Sequence, residues 1–217
     1  MAAKRVLQAY GVKPSRDRLC TTAAAAVQAA DRLGYPVVLK PSSTALTHKS
    51  DLGLVAVGVD SARAVRRTFA DLERRARHAI GRRGTLDGIL VCEMVRDGVE
   101  IVVGVAQDPL AGPVVMCGLG GVFVEVLGDV TFRVPPFTRD EAARMVRELR
   151  GFPMLEGVRG AKPADLDALL DAIMNVERLA MDLAGPGCPD GIAELDINPL
   201  VVRPRGAVAL DALVVRK

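Results

Sequence analysis

Short runs of apolar, β-branched residues recur along the chain, bounded by Gly, Pro and Asp, and alternate with stretches whose apolar residues return every three or four positions. Period-two runs of that length are half-buried strands, and the 3.6-residue returns are amphipathic helices. An all-helical bundle and a pure β-sandwich are both excluded. Ala-rich Ala23 to Leu33 follows Thr22, a hydroxyl that caps a helix start, and stops at Gly34. Ser61 opens a second helix whose core stripe is Val65, Phe69, Leu72 and Ala76. Thr138 with Glu141 three residues on forms a capping-box pattern for a third, running to Leu149. A long fourth stripe runs through Leu166, Leu169, Leu170, Ile173, Val176, Ala180 and Leu183, and Lys4 to Tyr10 reads as a short helix.

Strands are expected at Pro36–Lys40, Leu54–Val59, Ile89–Val95, Val99–Ala106 and Pro113–Cys117, then at Ile192–Ile197, Leu200–Arg203 and Ala207–Val215. The stretch from Pro41 to Gly53 is polar and reads as a loop, and that from Gly118 to Pro136 mixes Gly turns with short strand-like pieces. This pattern predicts two mixed α/β lobes, approximately residues 1–92 and 93–217, without a long linker.

Composition removes several functions. Hydrophobic residues make up 50% of the 217 positions, enough for a real core, but aromatics are 3% and Trp is absent, so that core is aliphatic. With 29 Lys and Arg against 26 Asp and Glu, the charge is too balanced for a protein held by nucleic-acid phosphates or an anionic membrane. The six arginines between Arg63 and Arg77 are interrupted by Asp71 and Glu73 and read as a solvated helix face. No run approaches the roughly 18 apolar residues of a spanning helix, and the start leads into no signal-like apolar region. Cys20, Cys92, Cys117 and Cys188 lie far apart with no zinc spacing; Cys92 and Cys117 sit in apolar runs as buried thiols, and a reducing cytoplasm is the expected location.

The Rossmann and Walker phosphate cradles are missing, as are the G-x-S-x-G elbow and the H-E-x-x-H helix. What remains is dispersed. Lys40 ends an apolar strand, where an ammonium either meets phosphate oxygens or snorkels at a sheet edge. His48 stands in a polar loop with Asp51 three residues on; a neutral imidazole is a nucleophile at physiological pH, and an aspartate fixes its tautomer, yet a loop histidine is as readily a solvated one. Glu194, Asp196 and Asn198 alternate on one strand that Pro199 is expected to end, and Asp211 interrupts an apolar strand. Oxygen ligands of that kind suit Mg²⁺; the alternative is a salt bridge to an arginine. Glu93 and Glu100 flank the turn Arg96-Asp97-Gly98, and Gly120-Gly121 would let backbone approach a ligand or simply make a turn.

In order, GYPVVLK, THKSDLG, VCEMVRDGVEIVVGVAQDP, GPVVMCGLGGVFVEVLGDVTFRVPP, GVRG, ELDINPLVV and ALDALVV run almost end to end. With them the chain resembles the ATP-grasp module of the ADP-forming acyl-CoA synthetases, the β subunit of acetate–CoA ligase, related to the succinyl-CoA synthetase β chain. The resemblance implies an α+β ATP-grasp fold with the nucleotide in a cleft between two lobes, and a ligase that handles ATP or ADP with Mg²⁺. Lys40 would meet phosphates, Glu93 the adenine hinge and Glu100 the ribose side, with Gly120 and Gly121 against the nucleotide. Asn198 and Asp211 would hold magnesium. His48 would be the transiently phosphorylated histidine, with Asp51 beside it and Asp196 either orienting it or lying behind the metal. The chain lacks a CoA-binding Rossmann portion, so the resemblance implies a hetero-oligomer with a CoA-binding α subunit, or fusion to one. Two other readings stay open: a regulatory nucleotide module such as those fused to acetyltransferases, and a different ATP-grasp carboxylate ligase. One departure from the family pattern stands at Leu54, where a second glycine is usual, and it implies a stiffer His48 loop.

Overall fold

A computed structural model of the chain describes residues 2–46, 52–81, 84–121, 127–158, 160–185, 188 and 190–217. The chain divides into two units, Ser15–Arg96 and Met1–Pro14 with Asp97–Lys217. The lobes expected from the sequence differ from these in two places. Helix α1 (Ala2–Ala9) belongs to the second unit, because Leu7 and Val12 are buried in its core and Lys13 accepts a hydrogen bond from the Ala209 amide at 2.9 Å. The break also falls after Arg96 rather than after residue 92.

The first unit is a four-stranded antiparallel sheet, β1 (Asp17–Cys20), β4 (Gly88–Glu93), β2 (Val37–Ser42) and β3 (Ala56–Val59) in spatial order. Two helices, α2 (Ala23–Leu33) and α3 (Ala62–Ile80), pack on it and on each other. Their starts follow the sequence: the Thr22 hydroxyl accepts from the Ala25 amide and the Ser61 hydroxyl from Ala64. Val65, Phe69, Leu72 and Ala76 are all buried, together with Val37, Leu39, Ile89 and Val91 from the sheet. These strand residues alternate, so Val38, Lys40, Leu90 and Cys92 belong to the other face. Strand β2 runs on through Pro41 and Ser42, where a loop was expected, because both pair with the start of β4. β1 was not foreseen; its four residues carry no alternation of their own and are recruited by pairing with β4.

The second unit is built on a six-stranded antiparallel sheet. Its spatial order is β10 (Leu213–Arg216), β8 (Ile192–Val202), β5 (Val99–Asp108), β6 (Gly112–Leu119) and β7 (Val130–Arg133), with β9 (Ala207–Ala209) also on β8. Helices α4 (Arg139–Arg147), α5 (Pro153–Glu156) and α6 (Leu166–Leu179) accompany it, and the long stripe ends in a π-helical turn over Ala180–Ala184. Leu169, Ile173, Val176 and Leu179 meet Ile101, Val103, Val105, Val115 and Cys117 in the core. The capping box at Thr138 is half formed: the hydroxyl accepts from the Glu141 amide, but the Glu141 carboxylate is held by Arg133 and Arg144.

Two strand expectations are corrected here. Pro199 does not end its strand. β8 continues to Val202, because the proline, which has no N–H to give, sits where the ladder to β5 shifts register between Ile101 and Val103. Ala207–Val215 is two strands, interrupted at residues 210–212. No helix among the described residues is long and apolar enough to cross a membrane.

Candidate functional site

In the first unit, Lys40 lies opposite Leu90 on the sheet face away from the helical core, and only 8% of it is exposed. A buried lysine spends more of its solvation than a snorkelling edge residue would. Glu93 ends β4. Its Oε1 accepts from the Arg16 amide at 2.8 Å and its Oε2 from Arg16 Nε at 2.7 Å, while its own amide donates to the Arg16 carbonyl. Its carboxylate is therefore committed to Arg16, and the backbone at the end of β4 is what this contact fixes. Arg16 lies 77 residues away, and no local pattern announced the pair.

His48 and Asp51 lie outside the described residues. The positions flanking them are fixed. Leu46 and Leu54 are both buried in the first unit's core, at 4% and 1% exposure. Leu54, the departure from the family pattern, thus supplies an apolar anchor where a glycine would supply none.

In the second unit, Glu100 and Gly120 face each other at the continuation of the β5–β6 pairing, and the Gly120 amide donates to the Glu100 carbonyl at 2.7 Å. A Cβ on Gly120 would stand 2.9 Å from Glu100 Cβ and 3.0 Å from its carbonyl carbon, so the close approach requires glycine. Gly121 has φ +65°, and its open side lies 3.7 Å from Glu100 Oε2. The sequence left a plain turn and a ligand cradle open; the structure adds the exposed Glu100 carboxylate beside that turn.

Asp196, Asn198 and Asp211 come together through strand register. β9 pairs Ala209 with Leu200 and β10 pairs Leu213 with Asp196, one register carried along both sides of the interruption. The Leu210 amide donates to the Pro199 carbonyl at 2.9 Å, which continues that register through the gap. It sets Asn198 opposite Asp211. Burial pushes the Asp196 carboxyl up from its ordinary value, and the charges of Glu194 and Asp211 push it further the same way. Asp211 Oδ1 also accepts from the Ala212 amide at 3.0 Å.

Among the described residues, no three His, Cys, Asp or Glu side chains gather closely enough to hold a metal by themselves. The donors here are hard oxygens, one of them an amide, and too few to fill a shell. That fits Mg²⁺, which retains waters and takes phosphate oxygens, better than a cation that needs a closed protein cage.

The ATP-grasp domain model matches residues 1–215. The chain belongs to the ATP-grasp family. Among curated proteins it is 37% identical over 217 residues to the β subunit of acetate–CoA ligase [ADP-forming] II of Pyrococcus furiosus, covering 99% of this chain and 89% of that one. It is 40% identical over 209 residues to acetate–CoA ligase [ADP-forming] I of Archaeoglobus fulgidus, of which it spans 29%. Among solved structures it superposes with TM-score 0.92 and 36% identity on Ca. Korarchaeum cryptofilum dinucleotide-forming acetyl-coenzyme A synthetase 1 bound to coenzyme A, Ca-AMPCP and HgCl⁺, covering 99% of this chain and 91% of that one. A second state of that enzyme holds coenzyme A and Mg-AMPPCP with its phosphohistidine segment pointing towards the nucleotide-binding site. It matches this ATP-grasp chain with TM-score 0.82 and 35% identity over 99% and 90% of the two chains.

Three contacts that organise this chain had no sequence signal: Arg16 on Glu93, Arg75 on the Leu52 and Gly53 carbonyls, and Asp129 on the amides of Arg150 and Gly151.

Proposed function

We propose that the chain is the nucleotide-handling subunit or domain of an ADP-forming acyl-CoA synthetase, acting with a CoA-binding α subunit or a fused domain that does the same work. The net reaction takes acyl-CoA, phosphate and ADP to acid, CoA and ATP. The observation that carries this reading is the β8 register that sets Asn198 opposite Asp211 beside Asp196. Likeness to both a separate β subunit and longer single-chain ligases supports a partner of either form.

In this reading Lys40 neutralises phosphate charge, and its burial keeps water from competing for the ammonium. Asn198 and Asp211 would hold magnesium, which when bound would supply positive charge to the phosphate oxygens. The Gly120–Gly121 turn and Glu100 take the ribose side, and the end of β4, held by Arg16, takes the adenine. His48 carries the group: its neutral ring nitrogen accepts the phosphoryl as the bond to the incoming donor breaks, and releases it to a β-phosphate oxygen of ADP as the N–P bond breaks. Asp51 steadies the ring and the charge that develops on it, and Asp196 lies behind the magnesium residues Asn198 and Asp211.

The test is direct. Incubation with magnesium and ATP labelled on its γ-phosphate, or with partner, acyl-CoA and labelled phosphate, should give acid-labile, base-stable label on His48. Asn198→Ala and Asp211→Asn should cut nucleotide affinity by about tenfold or more in magnesium and much less without it. Label that survives His48→Ala, or none in the wild type with all substrates supplied, leaves a nucleotide-binding module of the regulatory kind.

A further inference from the structure

One row of residues crosses the second unit's sheet from edge to edge. Leu213 on β10 stands opposite Asp196 on β8, Asp196 opposite Gly104 on β5, Gly104 opposite Met116 on β6, and Met116 opposite Phe132 on β7. Directly paired residues share a face of the sheet, and alternation puts this row on the side away from the helices. The strand neighbours confirm it. Val103, Val105, Val115, Leu195 and Ile197 lie in the helix-covered core. Beside Phe132, the Thr131 hydroxyl donates to the Met145 carbonyl of α4 at 3.0 Å, and Arg133 is held by Glu141 and Glu148.

Asp196 is the one charged side chain in the row, and it is half-buried. Gly104 adds no side chain beside it. A Cβ there would lie 2.8 Å from the Leu195 carbonyl oxygen, 3.8 Å from Met116 Cε and 3.9 Å from Asp196 Cα. The end of the Met116 side chain therefore borders the space above Gly104 on one side, and Asp196 borders it on the other. Leu213 flanks Asp196 across the remaining strand pair. The carboxylate thus has an apolar residue on each side. Leu213 is 48% exposed and Phe132 53%. Apolar side chains aligned with a carboxylate, instead of scattered singly, mark a surface that a ligand covers.

We infer that Met116 and Leu213 are specificity-determining walls at the phosphate end of the nucleotide site, which keep water from taking the phosphoryl group. The inference rests on the reading of Asn198 and Asp211 as that end of the site, with Asp196 behind them. In the leak they suppress, a water oxygen bonds to the γ-phosphorus of ATP as the bond to the bridging oxygen of ADP breaks. ADP and inorganic phosphate result, and a proton passes to solvent. Productive transfer breaks the same bond, so the charge-neutralising residues serve both reactions and cannot choose between them. Access of water can. A thioether and an isobutyl group give a water molecule no donor and at most a weak acceptor, too few partners to hold it in place.

The experiment uses the full chain with its synthetase partner and compares wild type with Met116→Ser, Met116→Leu and Leu213→Ser. Phosphate release from Mg²⁺–ATP is measured with neither acid nor CoA present, and ATP formation from acyl-CoA, ADP and phosphate is measured separately. Calorimetry at several temperatures gives the affinity and heat-capacity change for Mg²⁺ with the ATP analogue that has a methylene β,γ bridge. Met116→Ser and Leu213→Ser should each raise the ratio of hydrolysis to ATP formation by about tenfold. Affinity for the analogue should stay within about threefold of wild type, because charged contacts dominate it. The heat-capacity change should become less negative, because binding covers less apolar surface. Met116→Leu, apolar and of similar size, should keep the wild-type ratio. Should Met116→Ser fail to fold, Leu213→Ser, at a half-exposed edge position, carries the test alone. An unchanged ratio in the serine variants, or analogue affinity lost in step with ATP formation, would overturn the wall role. A wild-type chain that binds neither the analogue nor Mg²⁺–ADP would instead overturn the nucleotide reading beneath it.

Discussion

Removing the Asp129 side chain should loosen the second unit more than any exposed substitution of similar size. Asp129 is 7% exposed and stands just after the stretch that follows Gly120-Gly121. Its Oδ1 accepts from the Arg150 amide and its Oδ2 from the Gly151 amide, each at 2.9 Å, so the carboxylate spans the connection between α4 and α5. Its own carbonyl accepts from the Leu119 amide at 3.3 Å, and a Cβ on Gly151 would fall 1.8 Å from Leu119 Cδ1. The connection is therefore packed tightly against the end of β6, with little space for water to replace the lost oxygens. Each amide left without an acceptor costs about 1–3 kcal/mol, which puts Asp129→Ala at roughly 2–6 kcal/mol. Asp129→Asn keeps one oxygen and should cost about half as much. Hydrogen exchange of core amides in β5 and β6 reads the opening free energy of this unit separately from the other. An Asp129→Ala protein whose exchange free energy lies within about 0.5 kcal/mol of wild type, the range of an ordinary surface change, would refute the assignment of both bonds.

Lys40→Ala should weaken Mg²⁺–ADP binding by at least about tenfold in calorimetric titration, since in the proposed reading it removes a buried charge set against phosphate; unchanged affinity would remove Lys40 from the site. Asp165 caps α6 by accepting from the Ala168 amide and also takes the Gly206 amide, and the bond from Gly206, then that from Ala168, holds its carboxyl below the ordinary value. A lowered carboxyl stabilises the fold fully above its unfolded value and loses that contribution as pH falls through the lowered one. Denaturation midpoints of Asp165→Asn should therefore fall less steeply than wild type across the acid range below the usual carboxylate value. Burial, and then the charge of Asp129, push the Cys117 thiol up to about 12, and Cys20 and Cys92 are buried too. A thiol reagent at mildly alkaline pH should modify half-buried Cys188 quickly in the native protein and the other three only after unfolding; rapid reaction of Cys117 would contradict its place in the core.

The family resemblance proposes the nucleotide and metal candidates one motif at a time, and it does not show how each is held. Glu93 illustrates the gap. The resemblance implies a place at the adenine hinge for it, and the structure sets both its oxygens against Arg16. Asn198 and Asp211 illustrate the opposite outcome. Nothing in their separate motifs places them together, and the common register of β9 and β10 on β8 does.

By itself the sequence determined what is settled within one or two turns of chain. The hydroxyl caps at Thr22, Ser61 and Thr138 all form, and the stripe from Val65 to Ala76 is buried, because capping and helical periodicity involve residues at most a few positions apart. Tertiary structure alone decided that α1 joins the second unit, that β8 runs through Pro199, and that Ala207–Val215 is two strands. It also decided that Arg75, while keeping a contact with Asp71, reaches the Leu52 and Gly53 carbonyls. The physical reason is the same in each case. Strand pairing and long side-chain contacts join positions tens of residues apart, and their free energy depends on a register that only the assembled sheet defines.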